Sequence, residues 1–189
     1  MKNMMGSLLL ILAAMLLSGC QSTGGEYSEG ATTSAADIDR DVDSALASLY
    51  QTSPEAKALS KQAKGILVFP NVLKAGFIGG GSYGKGALRI RGRTTGYYNT
   101  VAASYGLQAG VQKFGYALFF MDKAALNYLN SSKGWEVGVG PSVVVVDAGV
   151  ARSLTTTTAR EDVYAFIFDQ TGLMAGLGIQ GSKITKIQP

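Results

Sequence analysis

The chain has 189 residues, of which 47% are hydrophobic and 16% are charged, and its formal net charge is +4. This composition predicts a folded domain with a real core. The sequence contains no histidine and a single cysteine, Cys20. These counts exclude a Ser–His–Asp triad, a Cys–His dyad, a Cys/His zinc site and an intrachain disulfide. The mild positive charge gives no reason to expect a nucleic-acid partner.

The first 19 residues have the three parts of a signal peptide. Lys2 supplies one positive charge, and the apolar run Leu8–Leu17 follows it. This run is too short to cross a bilayer, which takes about 20 apolar residues, but it has the length of a signal-peptide hydrophobic region. The segment Leu17-Ser18-Gly19-Cys20 resembles the lipobox of bacterial lipoproteins, in which the cysteine thiol receives a lipid and the chain is cut before it. We therefore expect residues 1–19 to be a lipoprotein signal peptide and Cys20 to be lipidated. An ordinary secretory peptide with a chance cysteine is the alternative.

The residues after Cys20 predict where the protein resides. Gln21 follows the cysteine, and resemblance to lipoproteins with a residue other than aspartate there implies sorting to the outer membrane. The protein would then face the periplasm of the cell envelope. Residues 20–36 are rich in Ser, Thr, Gly and Ala and are predicted to form a lipidated flexible tether. A single domain is expected over residues 37–189.

Two helices are predicted at the start of this domain. Asp37–Tyr50 carries apolar residues at helical spacing on one face and acidic residues in its first turns, where the helix dipole favours negative charge. A second helix is expected to begin at Ser53, which can cap it, with Pro54 at the first helical position. Further along the chain, Asp122–Leu129 is predicted to be a helix capped by Asp122.

The rest of the domain has mostly the pattern of strands joined by short turns. Ile66–Phe69 is a short apolar strand that Pro70 is expected to stop. A glycine-rich stretch, Gly76–Gly86, follows, and its segment Gly79–Gly84 is interpreted as a turn or bulge in a sheet. Gln170–Gly172 is predicted to be a turn. Together these elements predict an α+β fold, in which N-terminal helices precede a curved, mostly antiparallel, Gly-rich β-sheet that can be barrel-like. The further predicted strands are Ala87–Arg91, Thr94–Tyr98, Ala102–Gln112, Tyr116–Met121, Val137–Gly149, Val163–Asp169 and Leu173–Gln180.

The chain offers little for catalysis. Gly79–Gly84 satisfies the pattern G-x-G-x-x-G, but a dinucleotide site also needs a helix after the glycines and an acid about 20 residues further on. Here the next segment alternates like a strand, and the first acidic residue after it is Asp122. No carboxylate of the domain lies in a recognisable catalytic motif. We therefore expect no enzyme activity, no metal site and no cofactor.

Basic residues are concentrated in one part of the chain. Nine lysines and arginines lie between Glu55 and Asp122, an interval without any acidic residue. Such a block can attract anionic head groups at about 1 kcal/mol per side chain near a charged surface. The alternative is a solvated surface whose charge is balanced by acids from elsewhere, such as Asp37–Asp43. The candidates for head-group contact are Lys57, Lys61, Lys64, Lys74, Arg89 and Arg91.

Several motifs, in order along the chain, carry a resemblance to a known family. They are Ala63–Pro70 followed by Lys74-Ala75-Gly76-Phe77, then Gly106–Gly110, Gly138–Pro141 and Leu173–Leu177. These segments resemble the SYLF domain family, also called the Ysc84-like or actin-binding domain family, over about residues 45–187. The resemblance implies a non-enzymatic domain that binds membrane phospholipids, and some members bind or bundle actin.

Applied to this chain, the resemblance implies contact between the basic residues and an anionic phospholipid. We do not expect actin as a partner, because a secreted bacterial lipoprotein does not meet it. A structural or protein-interaction role in the cell envelope, with an envelope protein as the partner, is the main alternative. An unrecognised hydrolase that uses carboxylates alone is a third.

Overall fold

A computed structural model describes residues 33–77, 79–105, 110–131, 134–146, 154, 159–172 and 182–189. The predicted signal peptide, Cys20 and the tether up to residue 32 lie outside these residues, as does the predicted strand Leu173–Gln180. No helix within the described ranges is long and apolar enough to cross a membrane.

Two N-terminal helices are present, and each begins at a capping serine. Helix α1 spans Ala35–Thr52, so the helix starts two residues before its predicted first residue and within the predicted tether. Ser34 caps it in a capping box, in which Asp37 N donates to Ser34 Oγ at 3.2 Å and Ser34 N donates to the Asp37 carboxylate. Helix α2 spans Pro54–Ser60, and Ser53 caps it as predicted by accepting a hydrogen bond from Ala56 N at 3.1 Å.

The helices are followed by one eight-stranded sheet in the order β5-β8-β3-β2-β1-β4-β7-β6. Every neighbouring pair is antiparallel except β6 and β7, which are parallel. The sheet is strongly curled into a half-barrel, and the predicted α+β class is confirmed. The strands and the third helix are β1 Gly65–Gly76, β2 Gly79–Ile90, β3 Arg93–Tyr105, β4 Gly110–Phe120, α3 Lys123–Ser131, β5 Trp135–Glu136, β6 Val143–Val145, β7 Val163–Gly172 and β8 Lys183–Ile187.

Proline does not end the first strand. β1 continues through Pro70, and its register shifts between Phe69 and Val72 opposite β4 and between Val68 and Leu73 opposite β2. A proline has no N–H to give to a sheet, and a bulge is where that missing donor is tolerated. The prediction that Pro70 stops the strand is therefore wrong.

The glycine-rich stretch is largely a strand of its own. Gly79–Ile90 forms β2 and pairs along its length with β3. Its glycines allow close packing: a Cβ placed on Gly86 would clash with the carbonyl oxygen of Val68 in β1. The interpretation of Gly79–Gly84 as a turn or bulge is therefore wrong.

Three other predicted elements differ from the structure. Ala102–Gln112 is not one strand, since β3 ends at Tyr105 beside β2 and β8, whereas β4 begins at Gly110 between β1 and β7. Within its described part, up to residue 146, the predicted strand Val137–Gly149 contains only the short strand β6, because Gly138 and Gly140 adopt positive φ angles of 99° and 87°. Gln170–Gly172 belongs to β7 instead of forming a turn, and its residues Thr171 and Gly172 pair with Lys113 and Gln112 of β4.

The core lies on both faces of the sheet. One cluster joins α1 and α2 to residues such as Val68, Ala117 and Phe166, and the other joins α3 and Trp135 to the opposite face. Asp122 caps α3 as predicted, with Ala125 N donating to its Oδ1 at 2.7 Å. The buried residues of both clusters lie between Ile38 and Ile184, and residues 33–189 form one compact unit that contains both clusters.

Candidate functional site

An open groove of about 390 Å³ lies between the second half of α1, the end of α2 and the turn that joins β2 to β3. It brings together three of the six predicted head-group residues, namely Lys61, Arg89 and Arg91. We call it the basic groove. Its other lining residues include Asp43, Leu46, Tyr50, Ser60 and Ile66.

Local structure explains why these side chains meet. Asp43, Leu46 and Tyr50 recur at the three- and four-residue spacing that puts side chains on one face of a helix. Lys61 directly follows the last residue of α2. Arg91 and Gly92 form the hairpin turn, with φ angles of 52° and 76°, and such paired positive angles are typical of tight hairpins.

Arg89 is held in place by α1. Its Nη2 donates to Asp43 Oδ1 at 2.6 Å and to the backbone carbonyl of Asp39 at 3.1 Å, and its side chain is only 12% exposed. Its Nε is buried and has no acceptor among the described residues. The positive charge of Arg89 is therefore balanced by acids of the first helix, as the alternative interpretation predicted. Arg89 thus supports the wall of the groove.

Lys61 and Arg91 are different, because both side chains are exposed. Neither has a carboxylate within ion-pair distance among the residues that the structure describes. The groove thus combines three cations with one carboxylate, Asp43, which Arg89 already contacts. The net charge of the groove is therefore positive, and it comes from Lys61 and Arg91.

The apolar wall of the groove comes from Leu46, Tyr50 and Ile66. Ile66 is 9% exposed and belongs to the core cluster under α1, against which Leu46 and Tyr50 also pack. Burial raises the pKa of Tyr50, so its hydroxyl stays protonated at neutral pH. A ligand in the groove would therefore meet cations on one side and an apolar surface with a hydroxyl on the other.

The other three predicted residues lie outside the groove. Lys57 and Lys64 are exposed and close to Lys61 in the chain, but neither lines it. Lys74 is only 7% exposed. It lies about 25 Å from Ile66 along β1, by the rise of an extended strand, and on the opposite face of the sheet.

Sequence reasoning did not identify Asp43 and Tyr50 as groove residues. The sequence did contain a signal for Asp43. Asp39 and Asp43 lie one helical turn apart, so both carboxylates lie on one face of α1. Arg89 lies on a predicted strand in a segment without acidic residues, so its carboxylate partner had to come from elsewhere in the chain. No group of three or more potential metal ligands occurs among the residues that the structure describes.

Comparison with known protein families identifies a similarity in the second half of the chain. Residues 101–188 match the model of the Ysc84 family, described as Las17-binding protein actin regulator. No curated protein matches the chain. The matched segment begins in β3 and contains three of the motifs that predicted the resemblance, whereas the cations of the basic groove precede it. The similarity of this chain to the Ysc84, or SYLF, family is thus established over residues 101–188, as its motifs predicted.

Proposed function

We propose that this protein is a non-catalytic lipoprotein of the cell envelope whose folded domain binds anionic phospholipid head groups in the basic groove. The observation that carries the proposal is the pair of exposed cations, Lys61 and Arg91, beside an apolar wall. A phospholipid offers the matching chemistry, since its phosphate is anionic and its glycerol and first acyl carbons are not.

The two cations would have different roles. The planar guanidinium of Arg91 can donate two parallel hydrogen bonds to a phosphate, whereas the Lys61 ammonium acts as a point charge. Leu46 and Ile66 would contact the carbons next to the phosphate. Because both cations are exposed, salt should weaken the attraction.

The proposed anchor is a lipid on Cys20, with the domain on the periplasmic side of the outer membrane. The ordered signal-peptide features and the single cysteine of the chain support this part. The description of the matching family names an actin regulator. We do not extend that partner to this chain, because an exported lipoprotein would not meet actin.

Vesicle binding tests the head-group proposal. The fragment 33–189, which keeps the Ser34 cap and both core clusters, is mixed with phosphatidylcholine vesicles with and without phosphatidylglycerol. We expect binding only to the anionic vesicles at low salt, and weaker binding as salt is added. The double variant Lys61→Ala/Arg91→Ala should bind about 25-fold more weakly, at about 1 kcal/mol for each lost cation.

A matched control removes the same charge elsewhere. Lys123→Ala/Lys186→Ala changes two exposed lysines on the other face of the sheet, and this variant should bind within about twofold of the unaltered fragment. If both double variants lose the same affinity, the attraction comes from net charge and the groove has no special role. Equal binding to neutral and anionic vesicles would contradict the proposal altogether.

A further inference from the structure

A row of exposed apolar side chains crosses three neighbouring strands of the sheet. Leu73 of β1 lies opposite Tyr83 of β2, which in turn lies opposite Val101 of β3. Their exposed fractions are 53%, 47% and 47%. Strand pairing extends the row at both ends with exposed lysines, Lys113 of β4 next to Leu73 and Lys183 of β8 next to Val101.

Further exposed apolar residues continue this surface toward the β1–β2 turn. Val111 is 56% exposed, Phe77 in the turn is 70% exposed, and Ala75 and Ala103 are also exposed. The large side chains together expose roughly 500 Å², which is near the top of the range for the largest apolar patch of a monomer and indicates an interaction surface. We call this surface the apolar end; it comprises Leu73, Ala75, Phe77, Tyr83, Val101, Ala103 and Val111.

The N-terminal end of α1 stands beside the apolar end. By the alternation of strand residues, Leu73 and Tyr83 lie on the sheet face that α1 covers further along. Thr33 and Ile38 line one pocket of about 430 Å³ together with Leu73, Tyr83 and Lys85. The polypeptide that precedes Thr33 therefore joins the domain next to this surface.

This position limits the distance between the apolar end and Cys20. Thr33 follows Cys20 by 13 residues, and a linker of that length with the Ser-, Thr- and Gly-rich composition of residues 20–36 is expected to have a root-mean-square span of about 20 Å. A lipid on Cys20 would therefore keep a bilayer within close reach of the apolar end.

We propose that the apolar end rests on the same bilayer that holds the lipid of Cys20, with Leu73, Phe77 and Val101 entering its interfacial region. The inference rests on the proposed anchoring at Cys20 but is independent of binding in the basic groove. The residue types fit an interface: an aromatic hydroxyl, Tyr83, suits the head-group level, and lysines can extend their charged ends toward phosphates while their stems cover apolar surface.

The charge around the apolar end favours contact with a bilayer over contact with a second copy of the chain. Lys85, Lys113 and Lys183 border it directly. Three carboxylates lie near these lysines: Asp41 and Asp169 line pockets further along α1, and Glu136 is paired opposite Lys183. Two copies meeting through this surface would bring their lysine borders together, whereas an anionic bilayer would attract them. In this orientation the basic groove, at the other end of β1, points away from the anchoring membrane.

Site-directed spin labelling of the full-length lipoprotein tests the proposal. The chain has no cysteine besides Cys20, so a lipid there leaves an introduced cysteine as the only free thiol. A nitroxide is attached in turn to Leu73→Cys, Val101→Cys and the control Lys57→Cys, in vesicles of phosphatidylethanolamine and phosphatidylglycerol. Relaxation by oxygen, which enters the bilayer, is compared with relaxation by a water-soluble nickel chelate.

We expect the ratio of oxygen to nickel accessibility to be several-fold higher at positions 73 and 101 than at position 57. Ratios at 73 and 101 that equal the aqueous value at 57 would overturn the proposal. So would spin–spin broadening at 73 that disappears when labelled protein is diluted with unlabelled protein, because a second copy would then cover the surface. Protection from both reagents that depends on an added envelope protein would also overturn it in favour of a protein partner.

The groove variant separates this inference from the proposed head-group binding. Lys61→Ala/Arg91→Ala with a label at position 73 should keep the high oxygen ratio. If the label at 73 is aqueous while the groove variant still loses affinity for anionic vesicles, only the membrane contact of the apolar end fails. If mass spectrometry finds no lipid on Cys20, the anchoring fails and this inference fails with it.

Discussion

The guanidinium of Arg89 donates to the carboxylate of Asp43 at 2.6 Å, across 46 positions of the chain, and this contact ties β2 to α1. Asp39 adds a second link, since its carboxylate accepts from Thr94 at 2.6 Å and from Tyr97 at 3.0 Å. The acidic face of α1 thus fixes the helix on the sheet. The wall of the basic groove depends on this attachment.

Arg89→Ala should lower the free energy of unfolding by about 2 kcal/mol, because it removes charge-assisted hydrogen bonds from a largely buried side chain. Arg91→Ala is the matched control, since Arg91 is exposed, and it should change stability by less than about 0.5 kcal/mol. Urea denaturation of the fragment 33–189 measures both values. Equal losses in the two variants would show that the links to α1 contribute nothing specific.

Asp43→Asn should strengthen binding to anionic vesicles, because it removes the one carboxylate of the basic groove. The expected gain is about fivefold at low salt, from about 1 kcal/mol of removed repulsion between the Asp43 carboxylate and the anionic head group, while the asparagine oxygen can still accept from Arg89. Asp41→Asn makes the same charge change on α1 at a residue that does not line the groove, so it should bind within about twofold of the unaltered fragment. An equal gain in both variants would indicate a general charge effect.

Gly86→Ala should destabilise the fold by about 3 kcal/mol or more, because the new methyl group would clash with the Val68 carbonyl and lie 2.8 Å from Phe69. At Gly81 the nearest atom to an added Cβ is Ala102 O, at 3.5 Å, which is ordinary contact. Gly81→Ala should therefore be tolerated within about 1 kcal/mol. Thermal unfolding of both variants tests whether the glycine-rich segment is a packed strand. Equal unfolding temperatures for Gly86→Ala and Gly81→Ala would contradict this packing.

Tyr116→Phe should leave stability unchanged or raise it by up to about 1 kcal/mol. The Tyr116 hydroxyl is buried without a partner among the described residues, and burial raises its pKa far above the ordinary value. Tyr98 is the comparison, since its hydroxyl donates to Asn130 at 2.9 Å. Tyr98→Phe should cost about 1 kcal/mol in chemical denaturation, and a larger loss in Tyr116→Phe than in Tyr98→Phe would contradict the assignment.

Lowering the pH should remove the contribution of Asp162 to the free energy of unfolding. Hydrogen bonds from the backbone and hydroxyl of Ser142, at 2.8 and 3.0 Å, hold the pKa of Asp162 below its usual range. A lowered folded-state pKa stabilises the fold above the unfolded value of about 3.9, and that stability is lost as the pH falls through the folded value. Because solvent screens these exposed hydrogen bonds, Asp162→Asn should cost only about 0.5 kcal/mol at pH 7.

The cost of Asp162→Asn should shrink as the pH falls from about 5 and vanish once Asp162 is protonated in both states. Ser142→Ala removes one of the two donors, so it should show a smaller difference with the same pH sense. Urea unfolding at a series of pH values measures both variants. A cost that stays constant with pH would contradict the role given to this carboxylate.

The helices could be predicted from the sequence because their signals are local. Ser53, Pro54 and Asp122 each act on backbone groups within a few residues, and all three occupy the predicted positions. The α+β class follows from the order of such signals. The strands of the second half were less predictable, since their ends depend on which distant strand lies alongside, as at Tyr105 and Gly110.

The basic groove could be predicted only in part. The acid-free interval identified Lys61, Arg89 and Arg91, which the fold brings together. The difference between them depends on a contact across 46 residues, by which Asp43 holds Arg89 and leaves Lys61 and Arg91 exposed. Lys74 belongs to the same interval, but the bulge at Pro70 and the pleat of β1 place it in a buried position at the other end of the strand.

Nuclear magnetic resonance titration of the fragment 33–189 with short-chain phosphatidylglycerol, below its micelle concentration, tests head-group binding in the basic groove most directly. We expect the largest amide shift changes at Lys61, Gly65, Arg91 and Gly92, and we expect Lys61→Ala/Arg91→Ala to abolish them. Short-chain phosphatidylcholine should cause no such changes. Shift changes confined to the apolar end, or the same changes with both lipids, would contradict the proposed function.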